Sequence, residues 1–148
     1  MESAFRQVCR FEEAFGHELS SKPPAAPSRD TIRLRRKLIL EEARETLAAL
    51  RVVQKAVEAG DSVTGEMLAE VADGSADLQF VCKGTDVAFG VDGPAVMNEV
   101  CRANLSKFGP GHYYDETGKL RKPPGFKPPD ILGVIMNQKP LAELYGSE

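Results

Sequence analysis

The stretch "LILEEARETL", residues 38–47, decides the fold. Three glutamates, Glu41, Glu42 and Glu45, sit inside a run that is otherwise mostly apolar. Either this is a helix with a wet face, or carboxylates are being carried toward an interior. The second case needs a reason, because a buried carboxylate without a partner is costly. The helical wheel favours it. With Leu34 as origin and about 100° per residue, Leu38, Ala49 and Val52 fall within about 60°, and so do Glu41 and Glu45. Glu42 lies slightly further round, whereas Lys37, Arg44 and Arg51 form a separate basic stripe. Ile39, Leu40, Leu47 and Leu50 fill another arc, so the helix is apolar on two sides, a pattern of burial on both.

Working outward, the chain resolves into helices. Phe5, Val8, Phe11 and Phe15 recur at spacings of three and four, a short amphipathic helix ended by Gly16. The Pro-rich connector "SSKPPAAPS" (20–28) follows. Ser28 or Asp30 then caps a long helix that runs to about Gly60. A third helix spans about Thr64–Ala88, and a fourth runs from Pro94 to about Lys107, with proline suited to a first turn. Residues 108–130 are rich in Gly and Pro and promise little regular structure; a last short helix covers Ile131–Asn137. With no repeat and no useful strand pattern, the expectation is a single all-α domain over 1–148, a bundle of four to five helices.

Composition limits the function. A length of 148 residues with 42% hydrophobic and 28% charged content suits one globular domain. The net charge of −3 argues against a nucleic-acid binder, and the run "RLRRK" (33–37) reads as a solvated face. No apolar run approaches a membrane span, and the N-terminus lacks a signal-peptide core, so a cytoplasmic protein is expected. Cys9, Cys82 and Cys101 are too few and too scattered for a disulfide framework or a zinc site, and read as buried or idle thiols.

The third helix repeats the pattern of the second. In "EMLAEVADGSADLQFVCKG" (66–84), Glu70, Asp73 and Asp77 share one face, continued by Phe80, Val81 and Gly84. Gly74 costs helix propensity in mid-helix and points to a close helix approach or to some other reason. Acids could simply face water, but two consecutive helices with matching acid pairs are better explained by a shared cation. Oxygen-only ligands, with neither His nor Cys, select Mg²⁺ or Mn²⁺.

These residues resemble a known family. "EExxE" (Glu41, Glu42, Glu45) and, further along, "ExxD" (Glu70, Asp73) are similar to the all-α nucleoside triphosphate pyrophosphohydrolases of the MazG type, with their dimeric-dUTPase-like and phosphoribosyl-ATP pyrophosphohydrolase-like members. "GTDVAFGVD" (84–92) looks like the loop entry after the family's second metal helix. "EVCRANLSKFG" (99–109) is similar to its "EVHRSNMSK" helix, and "GKLRKPPGFKPPDI" (118–131) to its C-terminal segment. One departure concerns register. In many members the aspartate precedes an apolar run, which would select Asp77 before "LQF" and leave Gly74 at the glutamate position. Literal spacing selects Glu70 and Asp73, with Asp77 as an additional acid.

The resemblance implies hydrolysis of a (deoxy)nucleoside triphosphate to monophosphate and pyrophosphate, using two or more Mg²⁺ or Mn²⁺ ions. Glu42 and Glu45 would hold metal from the second helix, and Glu70, Asp73 and Asp77 from the third, with Glu41 as the base that orients water. Asn104 and Lys107, on one helix face, and Lys122, with Arg121 and Lys127 nearby, would bind the triphosphate. Tyr113, Tyr114 and Phe126 would stack on a base or pack, and His112 is a loop residue. The form "DGxADxxFV…GTxxAFG" looks closer to phage-type members, which leans the substrate weakly toward a purine such as dGTP. Two-sided apolar helices imply a homodimer or homotetramer. The competing reading is a non-catalytic helical oligomerisation module with its acids on the surface.

Overall fold

The computed structural model describes residues 2–22 and 25–146. It is an all-α bundle, and its helix ends follow the capping residues. In α1 (Ala4–Ala14), Ser3 accepts the Arg6 N–H, and Gly16 turns away at φ 91°. In α2 (Arg29–Ala59), Ser28 rather than Asp30 is the cap, accepting from Thr31 N–H, and Gly60 closes the helix in the left-handed region at φ 76°. In α3 (Gly65–Ala88), Thr64 accepts from Met67 N–H. α4 (Gly93–Leu105) begins on Asp92 and ends two residues earlier than the sequence suggests, in a 3₁₀ turn over Ser106–Phe108.

Beyond α4 the structure departs from the sequence reading. The 108–130 segment holds a small antiparallel hairpin, with β1 (Tyr113–Tyr114) paired to β2 (Leu120–Arg121). Asp115 organises its turn by accepting the N–H groups of Thr117 and Lys119, and it pairs with Arg121 at 2.6 Å. α5 (Ile131–Asn137) lies where expected, and α6 (Leu141–Tyr145) is an additional helix, making six among the described residues. α5 is fastened to α4 through Glu99. Its carboxylate accepts from Arg102 at 2.7 Å and from Asp130 N–H at 2.8 Å, and these bonds hold its pKa down at about 2.

α2 and α3 double back on each other, so Arg35 meets Gly84 at one end and Thr46 meets Gly74 further along. Thr46 Oγ1 donates to the Gly74 carbonyl at 2.8 Å, and a Cβ on Gly74 would stand 3.1 Å from Thr46 Cα. The mid-helix glycine therefore serves close helix approach, the first of the two readings its sequence position allowed.

The core sits at one end of this pair. Phe5, Val8 and Cys9 of α1, Leu19, Val87 of α3 and Leu141 of α6 are buried together, with Tyr145 against them. Burial pushes the Cys9 thiol up to about 12, an inert buried cysteine, while Cys82 and Cys101 are exposed. Tyr145 donates to Asp92 at 2.9 Å, and Gln138 bonds Asp92 N–H and the Gly90 carbonyl, so the α3–α4 turn is pinned to the C-terminal helices. Away from this end, Leu40, Leu47, Leu50, Val57 and Leu68 are exposed. The two-sided burial of α2 is not met within one chain.

One expectation is overturned. The run 33–37 is not uniformly solvated: Arg33, Arg36 and Lys37 are exposed, but Arg35 is buried. The cause is Glu12 on α1, which is also buried and accepts from Arg35 Nη2 at 2.6 Å. His17 Nδ1 lies 2.6 Å from the same oxygen.

Candidate functional site

The antiparallel register brings the acids of α2 across from those of α3. Glu45, Glu70, Asp73 and Asp77 line one cavity of about 470 Å³, with Ala49 and Val52 supplying apolar floor. The i, i+3 and i, i+4 spacings achieve this, because they stack side chains on one helix face. Glu66 lines the same cavity and was not singled out from sequence. Its signal is its place one turn before Glu70, on the face already marked by acids.

Glu41 and Glu42 stand at the margin of this cavity rather than in its lining. Glu42 is half-buried, and the other acids of the group, Glu66 included, are exposed. The Glu42 carboxyl is raised above the ordinary range, first by desolvation and then by the negative charges of Glu45, Asp77, Glu41 and Asp73. One carboxylate thus feels acids from both helices. Glu66 is shifted the other way, held down by its backbone N–H and by Thr64.

Among the described residues, no three His, Cys, Asp or Glu side chains converge tightly enough to hold one ion between them as they stand. The donor set still fits a hard cation. It is all oxygen, it is negative, and it repels itself across a gap between two helices.

The substrate-binding candidates are not brought to this cavity within one chain. Lys107 donates to Asn104 at 2.6 Å, which places the two on the shared face the spacing requires, but neither lines the acid cavity. Lys122 lies over the Phe126 ring at 4.8 Å, within its own loop. Tyr113 and Tyr114 are exposed on the hairpin, and His112 is an exposed loop residue beside the Gly109 carbonyl. No helix among the described residues is long and apolar enough to cross a membrane.

Comparison with known proteins identifies a family. The family model for phosphoribosyl-ATP pyrophosphohydrolase matches residues 8–104, about two thirds of the chain and all of both acid helices. The match reaches Asn104 and stops before Lys107 and Lys122. No curated protein matches the chain.

Proposed function

The chain belongs to the phosphoribosyl-ATP pyrophosphohydrolase family, within the MazG-like all-α nucleoside triphosphate pyrophosphohydrolases, and on that premise we propose that it hydrolyses a (deoxy)nucleoside triphosphate to monophosphate and pyrophosphate. The family supports nucleotide pyrophosphohydrolysis in general. The finer reading rests on one observation: carboxylates from two antiparallel helices face one cavity and act electrically on Glu42.

Glu42, Glu45, Glu70, Asp73 and Asp77 are the residues that would hold Mg²⁺ or Mn²⁺, two or more ions per site. When bound, such ions screen the phosphate oxygens and acidify a water. Glu41, exposed at the margin, orients the attacking water and takes its proton. The water oxygen bonds to the α-phosphorus, the bond from that phosphorus to the bridging oxygen breaks, and pyrophosphate leaves. Asn104, Lys107 and Lys122 are assigned to the phosphates, where lysine acts as a point charge.

Because those three stand away from the acid cavity of their own chain, a second copy is the natural source of them. The exposed Leu40, Leu47, Leu50 and Leu68 on the acid helices give that copy an apolar surface to cover. A homodimer or homotetramer follows. The preferred substrate is a purine deoxynucleotide such as dGTP, in a cytoplasmic role of nucleotide-pool control.

The test is a screen of all common nucleoside and deoxynucleoside triphosphates, together with phosphoribosyl-ATP, in Mg²⁺ or Mn²⁺. Ion-dependent pyrophosphate release is the expected result. Stepwise orthophosphate release would give the wrong reaction class. No release with any substrate would favour the helical oligomerisation module instead.

A further inference from the structure

At the level of the acids, α2 and α3 approach backbone to backbone. A Cβ on Gly74 would stand 3.1 Å from Thr46 Cα and 3.3 Å from Thr46 N. Gly74 lines the acid cavity together with Glu45, Asp73 and Asp77. The Thr46 hydroxyl lies 2.8 Å from the Glu42 carbonyl of its own helix and 2.8 Å from the Gly74 carbonyl across the gap. Its single proton is therefore shared between two oxygens, one on each helix. Thr46 directly follows Glu45, and Gly74 directly follows Asp73. One hydroxyl thus ties together the turns that carry Glu42, Glu45, Asp73 and Asp77.

A threonine inside a helix ordinarily bonds only the carbonyl four residues back. Thr85 of α3 does this, donating to the Val81 carbonyl at 2.9 Å. Thr46 differs by its second acceptor on the facing helix. That contact stands where little else holds the helices together. Among the described residues, none of α2 between Arg35 and Ala56 and none of α3 before Val81 is buried. Carboxylates of one sign on the two helices push them apart at the same level. The Thr46–Gly74 contact opposes that push.

We infer that Thr46 and Gly74 are positioning residues, whose contact sets the width of the gap between the two acid faces and thereby favours a small divalent ion over a large one. The inference rests on the cation reading of the acid cluster. Side-chain rotation brings opposed carboxylates onto one ion only across a gap that the backbones already hold narrow. Mg²⁺ takes its oxygens at about 2.0–2.1 Å and Ca²⁺ at about 2.3–2.6 Å. The difference is a few tenths of an ångström, the size of the shift that a Cβ on Gly74 would force on Thr46. Loss of the hydroxyl acts in the same direction. A methyl group in its place would stand about 3.3–3.6 Å from the Gly74 oxygen, against 2.8 Å for the hydroxyl.

The experiment uses the full chain without substrate, as the wild type, Thr46→Val, Thr46→Ser and Gly74→Ala. Mg²⁺ and Ca²⁺ affinities are measured by titration calorimetry, and amide hydrogen exchange and Tm are measured without ion. Thr46→Val and Gly74→Ala are each expected to weaken Mg²⁺ binding about tenfold and Ca²⁺ binding by less. Thr46→Ser, which keeps the hydroxyl, is expected to keep the wild-type preference. Gly74→Ala is the sharper case, because alanine favours the helix over glycine while its Cβ widens the gap. Without ion, exchange over residues 42–49 and 70–77 should quicken about fivefold in Thr46→Val, the loss of one hydrogen bond. Unchanged Mg²⁺ affinity in Thr46→Val overturns the inference, and a lowered Tm beside it would make the contact structural only. Equal losses for the two ions, or a Thr46→Ser variant as weak as Thr46→Val, also overturn it. A wild type that binds neither ion overturns the ion preference together with the cation reading, and quickened exchange in Thr46→Val would then leave only a brace between helices. The expected ranking of ions without pyrophosphate release from any nucleotide would support the inference and defeat the proposed reaction alone.

Discussion

The two ends of the α2–α3 pair are built differently. At the closed end, α1 and α6 cover the last turns of α3, and Phe5, Val8, Cys9 and Leu141 are buried among them. At the open end, the same two helices carry Leu40, Leu47, Leu50 and Leu68 in solvent and five carboxylates beside them. The electrostatics follow the same division. Asp86, at the closed end, has its carboxyl pushed up to about 6 by burial, against the weaker opposing effect of Lys83. Glu42, at the open end, is raised by partial desolvation and then by four acidic neighbours. One end thus stabilises a single chain, while the other concentrates charge and leaves apolar surface in solvent.

The contrast breaks most readily at the core. Leu141 is 0% exposed, and Leu141→Ala should cost about 2–5 kcal/mol, measured by chemical denaturation. A loss below about 1 kcal/mol would mean the closed end is not the stabilising one. Next in size is the helix contact. Gly74→Val drives a branched side chain toward Thr46 Cα, 3.1 Å from the first added carbon, and should cost about 1–3 kcal/mol. An unchanged midpoint would show that α2 and α3 can separate freely.

Asp86 sharpens the comparison through pH. Its folded pKa of about 6 lies above its ordinary 3.8, so the folded state binds the proton more tightly. Its contribution is full below about pH 4 and is lost as pH rises toward 6. Asp86→Asn should flatten the stability profile in that window, by about 1–2 kcal/mol after allowing for partial exposure. An identical profile in the variant would place the proton linkage elsewhere. Smallest is the effect of Leu47→Gln. Leu47 is 55% exposed, so stability of the isolated chain should change by less than about 0.5 kcal/mol, while light scattering should shift from an assembly toward 16.1 kDa. Unchanged assembly would remove Leu47 from any interface between copies.

Local signals in the sequence carried much of this. Ser28, Gly60 and Thr64 mark the helix ends because caps act within three residues. The acid sector was legible because a wheel depends only on spacing, and Gly74 marked the close approach. What stayed hidden depends on distant partners. Arg35 looks solvated among its basic neighbours until Glu12, 23 residues earlier, is folded against it. α6 is only five residues long and is held by tertiary contact, with Leu141 fully buried. The hairpin at 113–121 owes its turn to Asp115 and has strands too short for an alternating pattern. Lys107 and Lys122 were found by resemblance alone, and their chain does not carry them to the acids.

The central claim is that the carboxylates of the open end act together on a cation. Its most direct test is the shift in Tm on adding Mg²⁺ or Mn²⁺ to the wild type and to Glu45→Gln, read beside turnover. Glu45 lines the acid cavity, so the swap keeps the shape and removes one charge. The ion should raise the wild-type Tm, because a ligand that binds the folded state stabilises it in proportion to its affinity. In Glu45→Gln the shift should shrink and turnover should fall about a hundredfold or more, since metals supply several kcal/mol of transition-state stabilisation. Without ion the variant should be no less stable than the wild type, because one repelling charge is gone. An intact shift with intact turnover would contradict the account and return "LILEEARETL" to being a helix with a wet face.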